Sequence, residues 1–479
     1  MAKKKSSDEK SEITVHYIGN NAQDVTGSCI LIKTRNRKIL LECGMVQSCG
    51  NSLDDFKINA QPFSFKAKDI DYVFLNHGHC DHIGLSPKLI HNGFKGKIIT
   101  SHITGQLLKP MLMDSCKIIS GDAKYLSKLK EKTILPFYDK EDVHETLNHT
   151  YEYDYNIIYE LDSSISFRFL HNSHIIGALQ LELFIKNSLG ITKSILYTSD
   201  LGSFKVKNHY VDNNDIAGKY NLIITECTYG KRTQETAPNR NKDLEKLSVC
   251  IKETCIEKHG RLLIPVFSLS RSQEILTNLY ELYHDDPNFN IPVIIDSPLI
   301  LEVNKVYRQV LTAENAELFD KVCNWKNVKF IKTIEESKAC MTDKSPKIVL
   351  SSSGFLIRGR SCEYLKHFIG NESDCVVSVG YAPETSTFGK IKNGIPRVKI
   401  DKKEYDVKCK CMTLNSFSSH IPRHELLSYM KSLYTDKYVL VHGEEQAKQE
   451  FKIDLENELS KMCRTSIVQC STKDGVSRL

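Results

Sequence analysis

The densest chemistry in this chain lies in six residues, HGHCDH, which set His77, His79, Asp81 and His82 side by side. Neutral imidazole and carboxylate are good ligands for zinc and its neighbours. His77 and His79, two apart in an extended loop, point the same way at one ion. Asp81 and His82 continue round the turn toward a second. A single histidine here would read as a helix cap or a surface residue; four donors in six residues do not. Two ions need more donors than this motif supplies, and these should come from strand ends, where distant parts of a chain converge. His174 in HNSHIIGA, Asp200 in LYTSDLG and His442 in YVLVHGEE meet that condition.

The elements that must position these residues are legible in the flanking runs. ITVHYIG (13–19), SCILIKT (28–34), KILLECG (38–44) and DYVFLN (71–76) are rich in β-branched and apolar residues and end in polar or glycine punctuation. SPKLIHNGF and GKIITS read as a short helix and the next strand, and TGQLLKPMLMDSCKII and DAKYLSKLKEK as two helical stretches. Strands return at ISFRFLHN, LQLELFI, KSILYTSD and YNLIITECTYG. From about residue 231 to 408 helices alternate with short buried strands (RLLIPVF, IPVIIDSP, KIVLSSSG, CVVSVG), the grammar of a mostly parallel sheet.

Composition bounds the possibilities. At about 150 residues per domain, 479 residues predict two or three domains. With 41% hydrophobic and 26% charged residues, disorder, collagen-like repeats and coiled coil are excluded. No apolar run is long enough for a spanning helix, and the basic start MAKKKSSDEK leads into no apolar stretch, so neither a membrane protein nor a secretory leader is expected. The 16 cysteines are scattered without a CxxC pair, which favours a reducing, cytoplasmic setting over a disulfide framework. Sixty-five basic against fifty-nine acidic side chains, net +6, permits an anionic partner without demanding one.

HGHCDH resembles the signature of the metallo-β-lactamase fold. TECTYG, IPVFSLSRSQE, SSSG, NSFSSH and VHGEE resemble, in chain order, the motifs of its nuclease branch with a β-CASP insertion, which includes the endonuclease subunit of the cleavage and polyadenylation factor and bacterial and archaeal ribonucleases. The resemblance implies an α/β architecture: an αββα sandwich split into 12–230 and 409–479, around an inserted β-CASP domain at 231–408. It implies one zinc on His77, His79 and His174, a second on Asp81, His82 and His442, and Asp200 bridging them, with manganese as a possible substitute. Asp81 would also orient the attacking hydroxide. His420 in NSFSSH would be the general acid and Glu226 in TECTYG its acidic partner; from sequence alone Glu226 reads equally well as a helix cap. Cys80 would be a non-ligand.

The implied activity is two-metal hydrolysis of single-stranded RNA, leaving 5′ phosphate and 3′ hydroxyl. His442 is the version associated with RNA-processing members, where DNA-repair members usually carry valine. Ser352, Ser353 and Gly354 are candidates to offer backbone N–H groups to phosphate, and Ser418 and Ser419 to cap a helix or hold a phosphate. Arg358, Arg360 and Lys390 are candidate backbone contacts, and Arg271 is expected to pair with Glu274 or an interdomain carboxylate. Three departures stand out: Glu42 where the family usually has aspartate, Thr385 and Ser386 in place of a central glycine-threonine in 380–390, and Arg358 in place of a common glycine. A DNA nuclease, a small phosphate-ester hydrolase and a non-catalytic RNA-binding subunit remain alternatives. Endo- or exonucleolytic mode and homodimerisation stay open.

Overall fold

The computed structural model describes residues 13–47, 52–216, 218–231, 239–356, 359–380, 386–401 and 403–479. Two seven-stranded sheets face each other. The first runs, edge to edge, Gly475–Arg478, Thr14–Tyr17, Ile30–Lys33, Lys38–Leu41, Tyr72–Phe74, Lys97–Ser101 and Thr150–Tyr153. The second runs Ile467–Cys470, Tyr434–Val441, Lys219–Glu226, Thr192–Tyr197, Leu179–Lys186, Ile165–His171 and Ile158–Glu160. Alternate residues point inward: Val15, Ile30, Ile32, Ile39, Leu41, Phe74 and Ile99 from one sheet meet Phe167, Phe169, Leu181, Leu183, Ile195, Leu222, Ile224 and Val439 from the other. Helices cover both outer faces, so the layers read α, β, β, α.

Between the strands Lys219–Glu226 and Tyr434–Val441 the chain builds a third, six-stranded sheet: Val328–Phe330, Val293–Asp296, Lys347–Ser351, Arg261–Pro265, Cys375–Val379 and Lys410–Leu414. Its strand pairs are all parallel, and apolar clusters bury both faces. Its last strand, Lys410–Leu414, begins just past the boundary at 408 read from the change of rhythm, because Cys411 to Leu414 still pair with Val376 to Val379. The sandwich with an inserted α/β unit is the expected architecture.

The two helical stretches after the HGHCDH loop form one helix, His102–Lys130. The gap read between them at Ser120 and Gly121 is absent, because Leu107, Leu108, Met111, Leu112, Cys116, Ile119, Ala123 and Leu126 keep one buried stripe through it and past Pro110. Ser101 caps its start, accepting from Thr104 N–H. The two strands Thr150–Tyr153 and Ile158–Glu160 were not read from the sequence; they are short sheet edges with little burial. Among the described residues no helix is long and apolar enough to cross a membrane.

Parallel strands bring the carboxyl ends to one rim. Thr192–Tyr197, Lys219–Glu226 and Tyr434–Val441 run parallel, so the residues after each emerge together. In the first sheet Lys38–Leu41 and Tyr72–Phe74 do the same. The inserted unit closes over that rim, tied through Glu274 on the helix Arg271–Tyr283. The carboxylate accepts from His209 N–H (2.7 Å), lies 3.0 Å from His209 Nδ1, and accepts from Arg240 Nη1 (2.6 Å). Arg240 also donates to Asn208 (2.7 Å), which donates to Ser419 (3.1 Å). Arg271, expected to pair with Glu274 or an interdomain carboxylate, instead donates to Val379 O, while Arg240 holds the Glu274 carboxylate.

Burial alone would raise Glu274, but the His209 hydrogen bond and the His209 and Arg240 charges hold its carboxyl down at about 2. A depressed folded-state value means that its stabilisation is present above the unfolded value near 4.5 and is lost as pH falls toward 2. Glu274→Gln should therefore cost about 3–5 kcal/mol at neutral pH by leaving the Arg240 charge unmatched. Urea unfolding of wild type and variant should differ most above pH 5 and converge as the pH drops.

Candidate metal centre

The HGHCDH turn is fixed by backbone before any side chain acts. Residues 43–45 run beside it as a rail: Cys43 N–H donates to His82 O (2.8 Å), Met45 N–H to Cys80 O (3.0 Å) and Ser28 N–H to Asp81 O (2.8 Å). Only glycine fits at position 44, where a Cβ would lie 1.6 Å from Asp81 O. Several strand-end turns are sharp. Glu42, Ser199 and His442 have φ of 63°, 52° and 49°, a left-handed conformation costing such residues roughly 1–3 kcal/mol each. In return the side chains at or beside these turns face inward.

Seven donors converge. His77, His79, His174 and Asp200 place one ligand atom each within 4.8 Å of one another, and so do Asp81, His82, Asp200 and His442. Asp200 belongs to both groups. His77 Nε2 lies 3.2 Å from His79 Nδ1, and His174 Nε2 3.3 Å from the same atom. Asp200 Oδ2 is 3.7 Å from His77 Nε2, 3.7 Å from His174 Nε2 and 3.3 Å from His82 Nε2. Asp81 Oδ2 is 3.7 Å from both His82 Nε2 and His442 Nε2. Donors around a tetrahedral ion with bonds of about 2.0–2.1 Å lie roughly 3.3–3.4 Å apart, so these spacings fit a cation between them. Asp200 Oδ1 and His442 Nε2 are buried without a hydrogen-bond partner, as donor atoms reserved for an ion would be.

Protonation agrees. Burial, then the charge of neighbouring histidines, pushes His77 and His174 well below the usual histidine value, and burial draws His79 to about 4. All three are neutral, with lone pairs to give. Burial would lower His82 as well, but Asp200 and Asp81 hold it well above its usual value. Asp200 would be raised by burial, yet His442 and His82 keep it well below the carboxylate range. A dication serves the same carboxylates.

Outer partners orient the rings. His174 Nδ1 donates to Ser419 O (3.2 Å), turning Nε2 to the centre. His77 Nδ1 lies 3.4 Å from Ser199 Oγ, which donates to Glu42 (3.0 Å). Glu42 also accepts from Asn76 N–H (3.1 Å) and lies 3.3 Å from His82 Nδ1. The longer side chain at position 42 thus still reaches two ligand histidines, one of them through Ser199. Asn172 bonds both sides of the site, accepting from His174 N–H (3.0 Å) and donating to Asp200 O (2.6 Å). Sequence reading missed Asn172 and Ser199; both sit within two residues of a ligand, in HNSH and TSD, which is the signal that was there. Cys80 turns away, its thiol 3.3 Å from Ser115 Oγ and pushed by burial to about 12.

Glu226, at the end of its strand, caps no helix. It accepts from Leu201 N–H (2.6 Å) and faces His420 Nδ1 at 3.1 and 3.2 Å. Burial would lower His420, but the charge and hydrogen bond of Glu226 raise it to about 9. The His420 ring lies 4.7 Å from that of His174 and 5.7 Å from that of His442. Ser418 accepts from Tyr229 OH (2.5 Å) and Ser419 from Asn208, and neither caps the helix Arg423–Ser432, whose N-cap is Pro422. Ser352 Oγ lies 2.8 Å from Ser297 Oγ, Ser353 O accepts from Ser361 Oγ (2.8 Å), and Gly354 abuts the Phe267 ring. Arg360, expected to be available to a phosphate, is bound to Asp296, a buried carboxylate one strand away. Lys390 is exposed on the helix Thr387–Lys392. Arg358 and Thr385 lie outside the described residues; Ser386 caps that helix, accepting from Gly389 N–H (3.0 Å).

Comparison with known proteins follows this division of the chain. The family model described as the Metallo-beta-lactamase superfamily matches residues 22–150, the Beta-Casp domain model 272–391, and the model of a Zn-dependent metallo-hydrolase RNA specificity domain 404–465. Ribonuclease TTHA0252 of Thermus thermophilus is 30% identical over 431 residues, 89% of this chain and 92% of that one. Transcription termination factor FttA of Methanocaldococcus jannaschii is 27% identical over 90% of this chain and 67% of its own. A solved structure from Enterococcus faecalis V583, of unknown function, shares the fold at a TM-score of 0.53 and 12% identity, covering 98% of this chain and 100% of its own.

The centre makes two metal predictions. Zinc-loaded wild type, dialysed and assayed by elemental analysis, should carry about two ions per chain, and His77→Ala/His79→Ala at most one. Glu42→Gln should keep the fold and weaken metal affinity about 10- to 100-fold, read by competition with a chromophoric chelator.

Proposed function

The chain belongs to the metallo-β-lactamase superfamily, in the branch with an inserted β-CASP domain, and from that premise we propose that it is a zinc-dependent ribonuclease cutting single-stranded RNA to leave 5′ phosphate and 3′ hydroxyl ends. Metal-dependent hydrolysis of the RNA-processing nuclease type is the family's activity. The finer assignments are substrate, metal and residue roles, and they rest on the centre. The observation that carries them is the seven-donor constellation with a carboxylate-bound histidine, His420, laid against it.

In this reading His77, His79 and His174 hold one zinc, Asp81, His82 and His442 the other, and Asp200 both. A zinc pair supplies Lewis acidity toward the phosphoryl oxygens and a nucleophile at neutral pH. The chain's own groups do the rest. Asp81 Oδ2, set between His82 and His442, orients the attacking water. Glu226 accepts a hydrogen bond from Nδ1–H of the His420 imidazolium, whose Nε2–H protonates the departing 3′ oxygen. The value near 9 keeps that proton in place at neutral pH. The inserted unit is held at the rim through Glu274, which bonds His209 of the sandwich and Arg240. Ser352, Ser353, Gly354, Ser418 and Ser419 are the proposed phosphate-facing group, of which Ser352, Ser353, Ser418 and Ser419 already carry internal partners.

The RNA preference draws on His442 and on the match of residues 404–465, which include His420 and His442, to an RNA specificity model. The test is cleavage of a 5′-labelled single-stranded RNA beside its DNA equivalent, with phosphatase and ligase treatment of the products. RNA-selective cutting with 5′ phosphate ends is expected. His420→Ala should slow it about 10²- to 10⁴-fold while zinc content stays at the wild-type level. Equal cutting of DNA, or a His420→Ala enzyme at full rate, would overturn the assignment.

A further inference from the structure

Of the chain's 19 phenylalanines, all among the described residues, Phe267 alone is exposed, at 41%, although Val266 and Ser268 on either side are buried. It lies at the carboxyl end of the third sheet, between the strand Arg261–Pro265 and the helix Arg271–Tyr283. Its backbone is held. Val266 N–H donates to Ser351 O (2.9 Å), and Phe267 O accepts from Ser272 N–H (3.2 Å). Leu269, two residues on, is buried against the HGHCDH turn, where a Cβ on Gly78 would sit 3.1 Å from Leu269 Cδ2. Two residues span at most about 7 Å, so the ring stands within the reach of a nucleotide or two from the metal ligands.

The ring also has a built setting. Phe355 meets it edge to face, centroids 4.9 Å apart at 88°. Gly354 packs against it, since a Cβ there would come within 3.1 Å of the ring. Hydroxyls are close by in the chain: Ser268, next in sequence, lies 3.4 Å from Ser297, itself 2.8 Å from Ser352, two residues before Gly354. An exposed aromatic side chain, braced by a second ring and close in the chain to hydroxyls, suits a flat ligand with a polar rim better than an apolar protein surface.

We propose that Phe267, braced by Phe355, is a stacking platform for one unpaired base of the RNA, a nucleotide or two from the bond that is cut. The proposal rests on the ribonuclease reading above. Stacking uses the π-face that every base shares, so the platform selects unpaired strand over duplex without reading sequence.

The test is the dissociation constant of a labelled single-stranded RNA for the zinc-loaded full chain, in a His420→Ala background that slows cutting. Phe267→Ala and Phe267→Leu should weaken binding about 5- to 150-fold, and Phe267→Trp should restore it. One abasic position in the RNA should reproduce the loss with Phe267 present and add nothing to Phe267→Ala. If the parent binds RNA and all three variants match it, the platform is refuted and the ribonuclease reading stands. If Phe267→Ala binds weakly but every abasic penalty is unchanged, the residue is structural and the platform is again refuted. A parent that neither binds RNA nor, with His420 restored, cuts it overturns both.

Discussion

Five imidazoles and two carboxylates packed with donor atoms 3.2–3.7 Å apart form the constraint on which this structure turns. Lone pairs at such spacing repel, and burying Asp200 and Asp81 without countercharge is costly. A pair of divalent cations resolves both problems at once. The rest of the molecule can be understood as the scaffold that holds these donors in a spacing they would not keep on their own.

That scaffold works at three distances. Nearest are the outer hydrogen bonds of Glu42, Ser199, Asn172 and Ser419, which set ring orientation and tautomer. Next come the turns: left-handed Glu42, Ser199 and His442, and Gly44 pressed on Asp81 O, tolerated because buried strands on either side fix them. Farthest is the inserted unit. Glu274, Arg240, Asn208 and Ser419 form a polar chain from its helix to the carbonyl that orients His174, so closure of the inserted unit and geometry of the centre are linked. His420 depends on the same arrangement, since its Glu226 partner sits where the second sheet hands the chain to the inserted unit.

Much of this was legible in the sequence because the informative features are local. HGHCDH announces ligands by density alone, and the apolar runs that end in His174, Asp200 and His442 announce strand ends. The parallel inserted sheet followed from rhythm, and the αββα sandwich from the family resemblance that the motifs carry. What stayed hidden depends on three-dimensional competition. Arg271 lies one turn from Glu274 in the sequence, yet Arg240 takes that carboxylate. Arg360 looked available until Asp296 claimed it. The sequence reads as two helical stretches on either side of Gly121, but a continuous buried stripe carries one helix through it. The edge strands Thr150–Tyr153 and Ile158–Glu160 owe their form to their neighbours more than to their own pattern.

The most direct test of the centre is X-ray absorption at the zinc edge of the loaded protein. The account requires a shell of nitrogen and oxygen only, at about 2.0–2.1 Å, and a second metal at roughly 3.5–4 Å. A sulfur shell near about 2.3 Å, bringing Cys80 or another thiol into the site, or the absence of a metal neighbour in fully loaded protein, would contradict it.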